Sequence, residues 1–188
     1  MQFREPQPGI LTLPLLDKAE ADDIVKDIKV KTAWKPARVN GRKYKNEEAK
    51  EVRSATTASL SKASQEAELF NARVRSIIRP LIFKRWKHDI LRHTDIQLVK
   101  YVPGDFFAVH RDNGQAYNDR YYTVVCYLND NFEGGGTYFP SSDYTVEPVA
   151  GKAVIFPSDY LHKANEIISG EKYVAVIWML DTEPVSWI

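Results

Sequence analysis

The stretch IQLVKYVPGDFFAVHRD, Ile96–Asp112, is where the chain changes its hydrophobic period from about 3.6 to 2. From Asp95 onward, short β-rich runs recur between clusters of Gly, Pro, Asn and Asp. They are YYTVVCYL (Tyr121–Leu128), GTYFP (Gly136–Pro140), YTVEP (Tyr144–Pro148), KAVIFP (Lys152–Pro157) and KYVAVIWML (Lys172–Leu180). Many short strands with turn signals between them specify an all-β sandwich or barrel, here a jelly-roll-like core over 95–181.

Upstream, the pattern is helical. LDKAEADDIVKDIK (Leu16–Lys29) has acidic residues early and lysines late, which suits the helix dipole. SQEAELFNARVRSIIRPLIFKRW (Ser64–Trp86) predicts a long helix with Ser64 as N-cap, kinked or divided at Pro80. Its expected apolar face is Leu69, Val74, Ile77, Ile78, Leu81 and Ile82. The expected organisation is one domain over 1–188, mainly β with an α buttress. Residues 1–94 supply helices packed on one sheet and lid strands.

Composition narrows the function classes. The 188 residues carry 26 Lys+Arg against 25 Asp+Glu, a net charge of +1, which argues against a protein built mainly to hold nucleic acid or an anionic membrane. The single cysteine, Cys126, excludes a disulfide framework and a multi-cysteine metal site. No run of 18 consecutive apolar residues occurs and the N-terminus shows no long apolar h-region, so a cytoplasmic location is expected. One segment departs from neutrality. Lys29–Arg53 holds nine Lys/Arg against three Glu, a solvated lid or loop that also suits an acidic partner or a phosphate.

Four histidines are present: His88, His93, His110 and His162. His88 and His93 sit in the polar segment KHDILRHTD and are expected to be solvated rather than ligating. On an extended strand, residues i and i+2 share a face, so His110 and Asp112 can meet one ion. A His-x-Asp tripeptide alone is weak evidence, a chance match in roughly one such chain in four. His162 follows another strand candidate. Two imidazoles and one carboxylate form the facial triad of non-haem Fe(II) oxygenases, although zinc takes the same ligands. Lys172 enters a strand whose face continues with Val174, Val176 and Trp178. A charge there is costly unless paired, or unless the lysine snorkels from the strand end. Thr123 and Tyr127 share the face of their strand opposite Tyr122, Val124, Cys126 and Leu128, a pattern that suits a lumen holding a small polar ligand.

Read together, YVPGDFFAVHRD (Tyr101–Asp112), RYYTVVCYLND (Arg120–Asp130), EGGGTYFP (Glu133–Pro140), EPVAGKAVIFP (Glu147–Pro157) and LHKANEIISGEKYVAVIWM (Leu161–Met179) resemble the prolyl 4-hydroxylase-like branch of the 2-oxoglutarate- and Fe(II)-dependent dioxygenases. The resemblance runs from Asp95 to Leu180 in order and extends to an upstream strand, VRSATTASL (Val52–Leu60). It implies a double-stranded β-helix, or jelly roll. It also implies Fe(II) on His110, Asp112 and His162, and Lys172 paired with the C5 carboxylate of 2-oxoglutarate, helped by Tyr127 and Thr123. Tyr101 is then expected near the chelating end of the cosubstrate and Trp178 beside the iron. The implied reaction consumes O2, releases succinate and CO2, and hydroxylates an unactivated C–H bond, with ascorbate as reductant. Retention of Asp112 favours hydroxylation over halogenation.

The expected substrate is a prolyl residue in a peptide or protein. A free amino acid or small natural-product scaffold is the alternative, and a non-catalytic jelly roll that binds a ligand or senses oxygen is the reading from another class. Neither a nucleic-acid partner nor a membrane is expected. The stretch Asn113–Arg120 is expected to form a mobile loop over the site, with Arg120 at the pocket rim as a substrate-carboxylate contact or a structural ion pair.

Overall fold

The computed structural model describes residues 3–40, 44–114 and 117–180. Two short strands, β1 (Arg4–Gln7) and β2 (Ile10–Pro14), precede helix α1 (Lys18–Lys31). A capping box fixes the start of α1: the Asp17 carboxylate accepts from the Glu20 N–H at 2.8 Å, and Glu20 accepts from the Asp17 N–H at 3.0 Å. The helix buries Ala21, Ile24 and Ile28, and Lys29 and Lys31 occupy its last turn.

The basic segment then forms short strands β3 (Lys35–Pro36), β4 (Val39–Asn40), β5 (Lys45–Glu47) and β6 (Arg53–Ser54), with β4 and β5 paired as a hairpin. Part of its tip, residues 41–43, lies outside the described residues. The expected strand over Val52–Leu60 is two strands. β6 pairs with β10 (Phe106–His110) in one sheet, and β7 (Thr56–Ser59) pairs with β9 (Gln97–Tyr101) in the other. The chain changes sheet at Ala55, which makes a corner of the sandwich.

The long helical pattern divides as Pro80 requires. Helix α2 (Gln65–Arg73) starts at Ser64, whose hydroxyl accepts from the Ala67 N–H at 3.1 Å. A π-helical turn, Val74–Ile78, joins it to α3 (Arg79–Trp86), with Pro80 in the first turn of α3. The wide turn rotates the apolar face. Phe70, Val74, Ile78 and Ile82 are buried, whereas Leu69 and Ile77, expected on that face, pack at its margin.

The remaining strands are β8 (Arg92–His93), β11 (Arg120–Tyr127), β12 (Glu133–Gly134), β13 (Thr137–Phe139), β14 (Tyr144–Val146), β15 (Lys152–Pro157), β16 (His162–Ala164), β17 (Ile167–Ser169) and β18 (Lys172–Leu180). The large sheet runs β1-β2-β15-β11-β18-β9-β7-β3, with β8 also on β18. The facing sheet runs β14-β13-β16-β10-β6. This is the predicted jelly roll, with helices against one face of the large sheet.

That layering explains why KYVAVIWML reads as a continuous apolar run. Tyr173, Ala175, Ile177 and Met179 face the helices, while Val174, Val176 and Trp178 face the interior between the sheets. Each fully buried Ile or Val side chain contributes about 1.5–3 kcal/mol. Among the described residues, no helix is long and apolar enough to cross a membrane.

Candidate functional site

The two candidate histidines meet as a cross-strand pair. β10 and β16 are antiparallel, and His110 stands directly opposite His162. Strand alternation places His110 but not Asp112, because β10 ends at His110. Instead, the N–H groups of Asp112 and Asn113 donate to the Ser158 carbonyl at 2.9 and 3.1 Å, which turns the Asp112 carboxylate toward the histidines. Ligand atoms from all three side chains lie within 4.8 Å of one another.

The hydrogen bonds of this cluster fit a metal ion. His110 Nδ1 lies 2.7 Å from the Ala108 carbonyl, and His162 Nδ1 lies 3.0 Å from the Tyr160 carbonyl. A carbonyl only accepts, so each imidazole carries its proton on Nδ1 and turns the Nε2 lone pair to the site. His110 Nε2 is 3.4 Å from Asp112 Oδ1 and His162 Nε2 is 3.5 Å from Asp112 Oδ2. Ligand atoms held ~2.1 Å from one ion at right angles lie ~3 Å apart, close to these separations. Burial pushes the His162 imidazole down to about 4, against the attraction of Asp112, so the ring is neutral at pH 7. Burial alone would raise the Asp112 carboxyl, but His162, His110 and the Thr123 hydroxyl outweigh it and hold the group ionised.

His110 is pinned further by Phe107, whose ring stacks on it with centroids 3.5 Å apart. The Arg53 guanidinium in turn lies 4.6 Å from the Phe107 centroid. His88 and His93 stand apart from the cluster. Both are half-buried rather than solvated: His88 packs edge-on to Tyr121, and His93 Nδ1 is 2.7 Å from the Thr94 carbonyl.

A cavity of about 920 Å³ joins the triad to Lys172, and Tyr101, Thr137, Arg120 and Trp178 are also on its wall. Lys172 is 2% exposed, and burial pushes its ammonium down to about 7. Its Nζ donates to the Gly135 carbonyl at 2.5 Å and lies 4.8 Å from the Tyr101 ring centroid. Gly135 has φ +67°, and a Cβ there would lie 2.4 Å from Ile167 and 3.1 Å from the Lys172 side chain, so glycine is required beside this lysine. Among the described residues, Lys172 has no carboxylate within ion-pair distance.

The other expected residues occupy two layers. Burial raises the Tyr101 phenol above its ordinary value, and Trp178 Nε1 is buried without a hydrogen-bond partner among the described residues. Thr123 and Tyr127 stand behind the wall, each 0% exposed. The Thr123 hydroxyl donates to Asp112 Oδ2 at 2.8 Å and lies 2.9 Å from the Ser158 hydroxyl. The Tyr127 hydroxyl is 2.6 Å from Thr137 Oγ1. Arg120 forms no ion pair with the described residues. Its guanidinium lies 3.8 Å from the Tyr117 ring centroid and 3.7 Å from that of Trp178. Gln115 and Ala116, in the expected loop, lie outside the described residues. Phe107, Ser158, Thr137, Gly135 and Arg53 are site residues that periodicity does not mark. Their roles come from pairing and packing between distant segments.

A family model, the 2OG-Fe(II) oxygenase superfamily, matches residues 96–180. Prolyl 4-hydroxylase 1 of Arabidopsis thaliana is 35% identical over 112 residues, covering 45% of this chain and 40% of that protein. The chain therefore spans less than half of that relative's length. A PKHD-type hydroxylase of Prochlorococcus marinus (strain NATL1A) is 28% identical over 176 residues, covering 90% of this chain and 76% of its own. In fold, the chain is similar to a prolyl hydroxylase from Trichoplax adhaerens solved with a peptide fragment of the hypoxia inducible factor oxygen degradation domain. That likeness has a TM-score of 0.79 at 18% identity, over 94% of this chain and 86% of that one. Residues 96–180 thus match the 2-oxoglutarate/Fe(II) oxygenase superfamily, and with its jelly roll and His-Asp-His cluster the chain is similar to that superfamily's prolyl 4-hydroxylase-like proteins.

Proposed function

We propose that this chain is a 2-oxoglutarate-dependent hydroxylase of an unactivated C–H bond, with a prolyl residue of a peptide or protein as the substrate. The observation that carries the reading is the pair of Nε2-presenting imidazoles around Asp112, in one cavity with the buried Lys172, which has no carboxylate partner among the described residues. His110, Asp112 and His162 hold Fe(II). Bound Fe(II), with 2-oxoglutarate and O2, supplies the oxidation that yields succinate and CO2 and places one oxygen atom on the substrate.

The chain's own residues bind and orient. Lys172 receives the far carboxylate of 2-oxoglutarate as a charge-assisted pair in a water-poor pocket, where such a pair is strong. Tyr127 acts through Thr137, whose hydroxyl it holds at 2.6 Å on the cavity wall. Tyr101 and Trp178 bring an O–H and an N–H to the same wall. Thr123 fixes the Asp112 carboxylate. The prolyl substrate is supported by relatives named prolyl 4-hydroxylase and by the peptide-bound neighbour in fold.

The test is succinate formation from 2-oxoglutarate by the purified protein with Fe(II) and ascorbate, alongside mass spectrometry of proline-containing peptides and of a metabolite pool. A hydroxylated peptide is the expected product. A hydroxylated metabolite with every peptide unchanged replaces the peptide by a small substrate. No 2-oxoglutarate binding or turnover overturns the oxygenase reading.

A further inference from the structure

The charges around the cavity are unevenly satisfied. Of the carboxylates on its lining, Asp27 is bound to Lys31 at 2.5 Å, Asp112 belongs to the triad, and Glu66 remains. Against them stand Lys35, Arg38, Arg53, Arg111 and Arg120, none of which has a carboxylate of the described residues within ion-pair distance. A protein of net charge +1 thus places five cations, without carboxylate partners among the described residues, around one mouth.

Arg53 is the innermost member of that group. It is half-buried on β6, opposite Phe107 in the sheet, and Phe107 stacks on the ligating imidazole of His110. Its guanidinium interacts with the Tyr101 hydroxyl, but its Nε is buried without a hydrogen-bond partner among the described residues, a donor left unused. Arg53 and Arg120 also repel one another across this space, part of what lowers the Arg120 guanidinium after burial itself. Lys35 and Arg38 extend the positive charge outward along the basic strands, and both are exposed. Asn40 bonds the Tyr117 hydroxyl at 3.4 Å, so the basic hairpin meets the segment after Asp112 over the cavity.

Resting on the hydroxylase reading above, we infer that this mouth selects an acidic peptide, with Arg53 taking a carboxylate near the residue presented to the triad and Lys35 and Arg38 taking carboxylates farther along the chain. A planar guanidinium beside a hydrophobic ring is suited to a carboxylate fork, and a partly desolvated pair there is worth about a tenfold change in affinity. A peptide is favoured over a phosphate polymer because the segment carries Glu47, Glu48 and Glu51 among its basic residues, which would repel a continuous polyanion.

The test measures binding of fluorescent proline-containing peptides to protein loaded with Mn(II) and 2-oxoglutarate without oxygen. The peptides differ only in carrying Glu, Gln or Lys at the flanking positions. The Glu peptide is expected to bind about tenfold more tightly than the Gln peptide, with the preference shrinking as salt rises. Arg53→Gln should remove most of the preference, and the exposed double variant Lys35→Gln/Arg38→Gln should remove part of it without touching the cavity floor. Equal binding of Glu and Gln peptides, tighter binding of the Lys peptide, no peptide binding, or tighter binding of a single-stranded oligonucleotide each overturns the inference. Binding of 2-oxoglutarate and its turnover to succinate, measured on the same preparation, report separately on the hydroxylase reading.

Discussion

The two ends of the cavity solve opposite electrostatic problems. At the triad, the groups turned away from the site have protein partners: both Nδ1 atoms face backbone carbonyls, Asp112 Oδ2 receives Thr123, and the Asp112 backbone is tied to Ser158. At the other end, Lys172 buries an ammonium with one backbone carbonyl and two aromatic rings for company. The first end is built before any ligand arrives. The second carries a charge whose desolvation only an anionic ligand offsets. Removing side chains at the two ends should therefore have different consequences.

The largest effect belongs to the triad. His110→Ala, Asp112→Ala or His162→Ala should each weaken Mn(II) binding by more than about 100-fold and bring succinate formation below detection. Circular dichroism should be unchanged for the histidine variants, because the pairing of β10 with β16 is made by backbone groups. Full turnover by His162→Ala would falsify the triad assignment.

Lys172→Met should split affinity from stability. Loss of the ammonium is expected to weaken 2-oxoglutarate binding by about 10–100-fold while leaving Mn(II) binding intact. The same substitution removes a buried charge and keeps a similar volume, so stability should rise by on the order of 1–3 kcal/mol. For a chain of this length that is several degrees in Tm. A lower Tm for Lys172→Met, seen by calorimetry, would show that the protein already compensates the charge.

The pH dependence follows with a definite sign. Because burial holds Lys172 near 7, above that pH the pocket must take up a proton to meet a carboxylate. Affinity for 2-oxoglutarate should fall about tenfold per pH unit above about 7, until the fall levels off near the pKa of the ligand-bound lysine. Titration calorimetry in buffers of different ionisation enthalpy should register the uptake. Stability moves the other way. The unfolded chain holds this proton up to about 10.5 and the folded chain releases it near 7, so the Lys172 contribution grows more favourable between those values. That slope should vanish in Lys172→Met.

The faces of β11 and the cluster around His110 were legible in the sequence by different routes. Strand alternation joined Thr123 to Tyr127 and separated them from Val124 and Cys126, as the two faces of β11 show. Spacing brought His110, Asp112, His162 and Lys172 together through a family resemblance that the comparisons support. What stayed hidden depends on contacts between distant segments. Ser158 lies 35 residues from the Thr123 hydroxyl it bonds, and no local pattern marks it. The switch of sheets at Ala55 and the π turn before Pro80 each change local geometry that a fixed period of 2 or 3.6 cannot express. Periodicity states which face a side chain occupies. It does not state which partner waits there.

Thr123 provides the finest test of the contrast between the two ends. The resemblance puts it on the cosubstrate, whereas the structure directs its hydroxyl hydrogen to Asp112 Oδ2 at 2.8 Å, with Ser158 2.9 Å away. Both side chains are fully buried, so neither has water to turn to when its partner is lost. Thr123→Val keeps the shape and deletes the donor, leaving one carboxylate oxygen and one serine hydroxyl unsatisfied. The expected result is a loss of about 1–3 kcal/mol in stability and about tenfold in Mn(II) affinity. Binding of 2-oxoglutarate to the metal-saturated protein should change little. Thr123→Ser, which keeps the hydroxyl, should restore metal affinity. If instead Thr123→Val weakens 2-oxoglutarate and spares Mn(II), the hydroxyl serves the Lys172 end of the cavity and the division between the two ends is drawn in the wrong place.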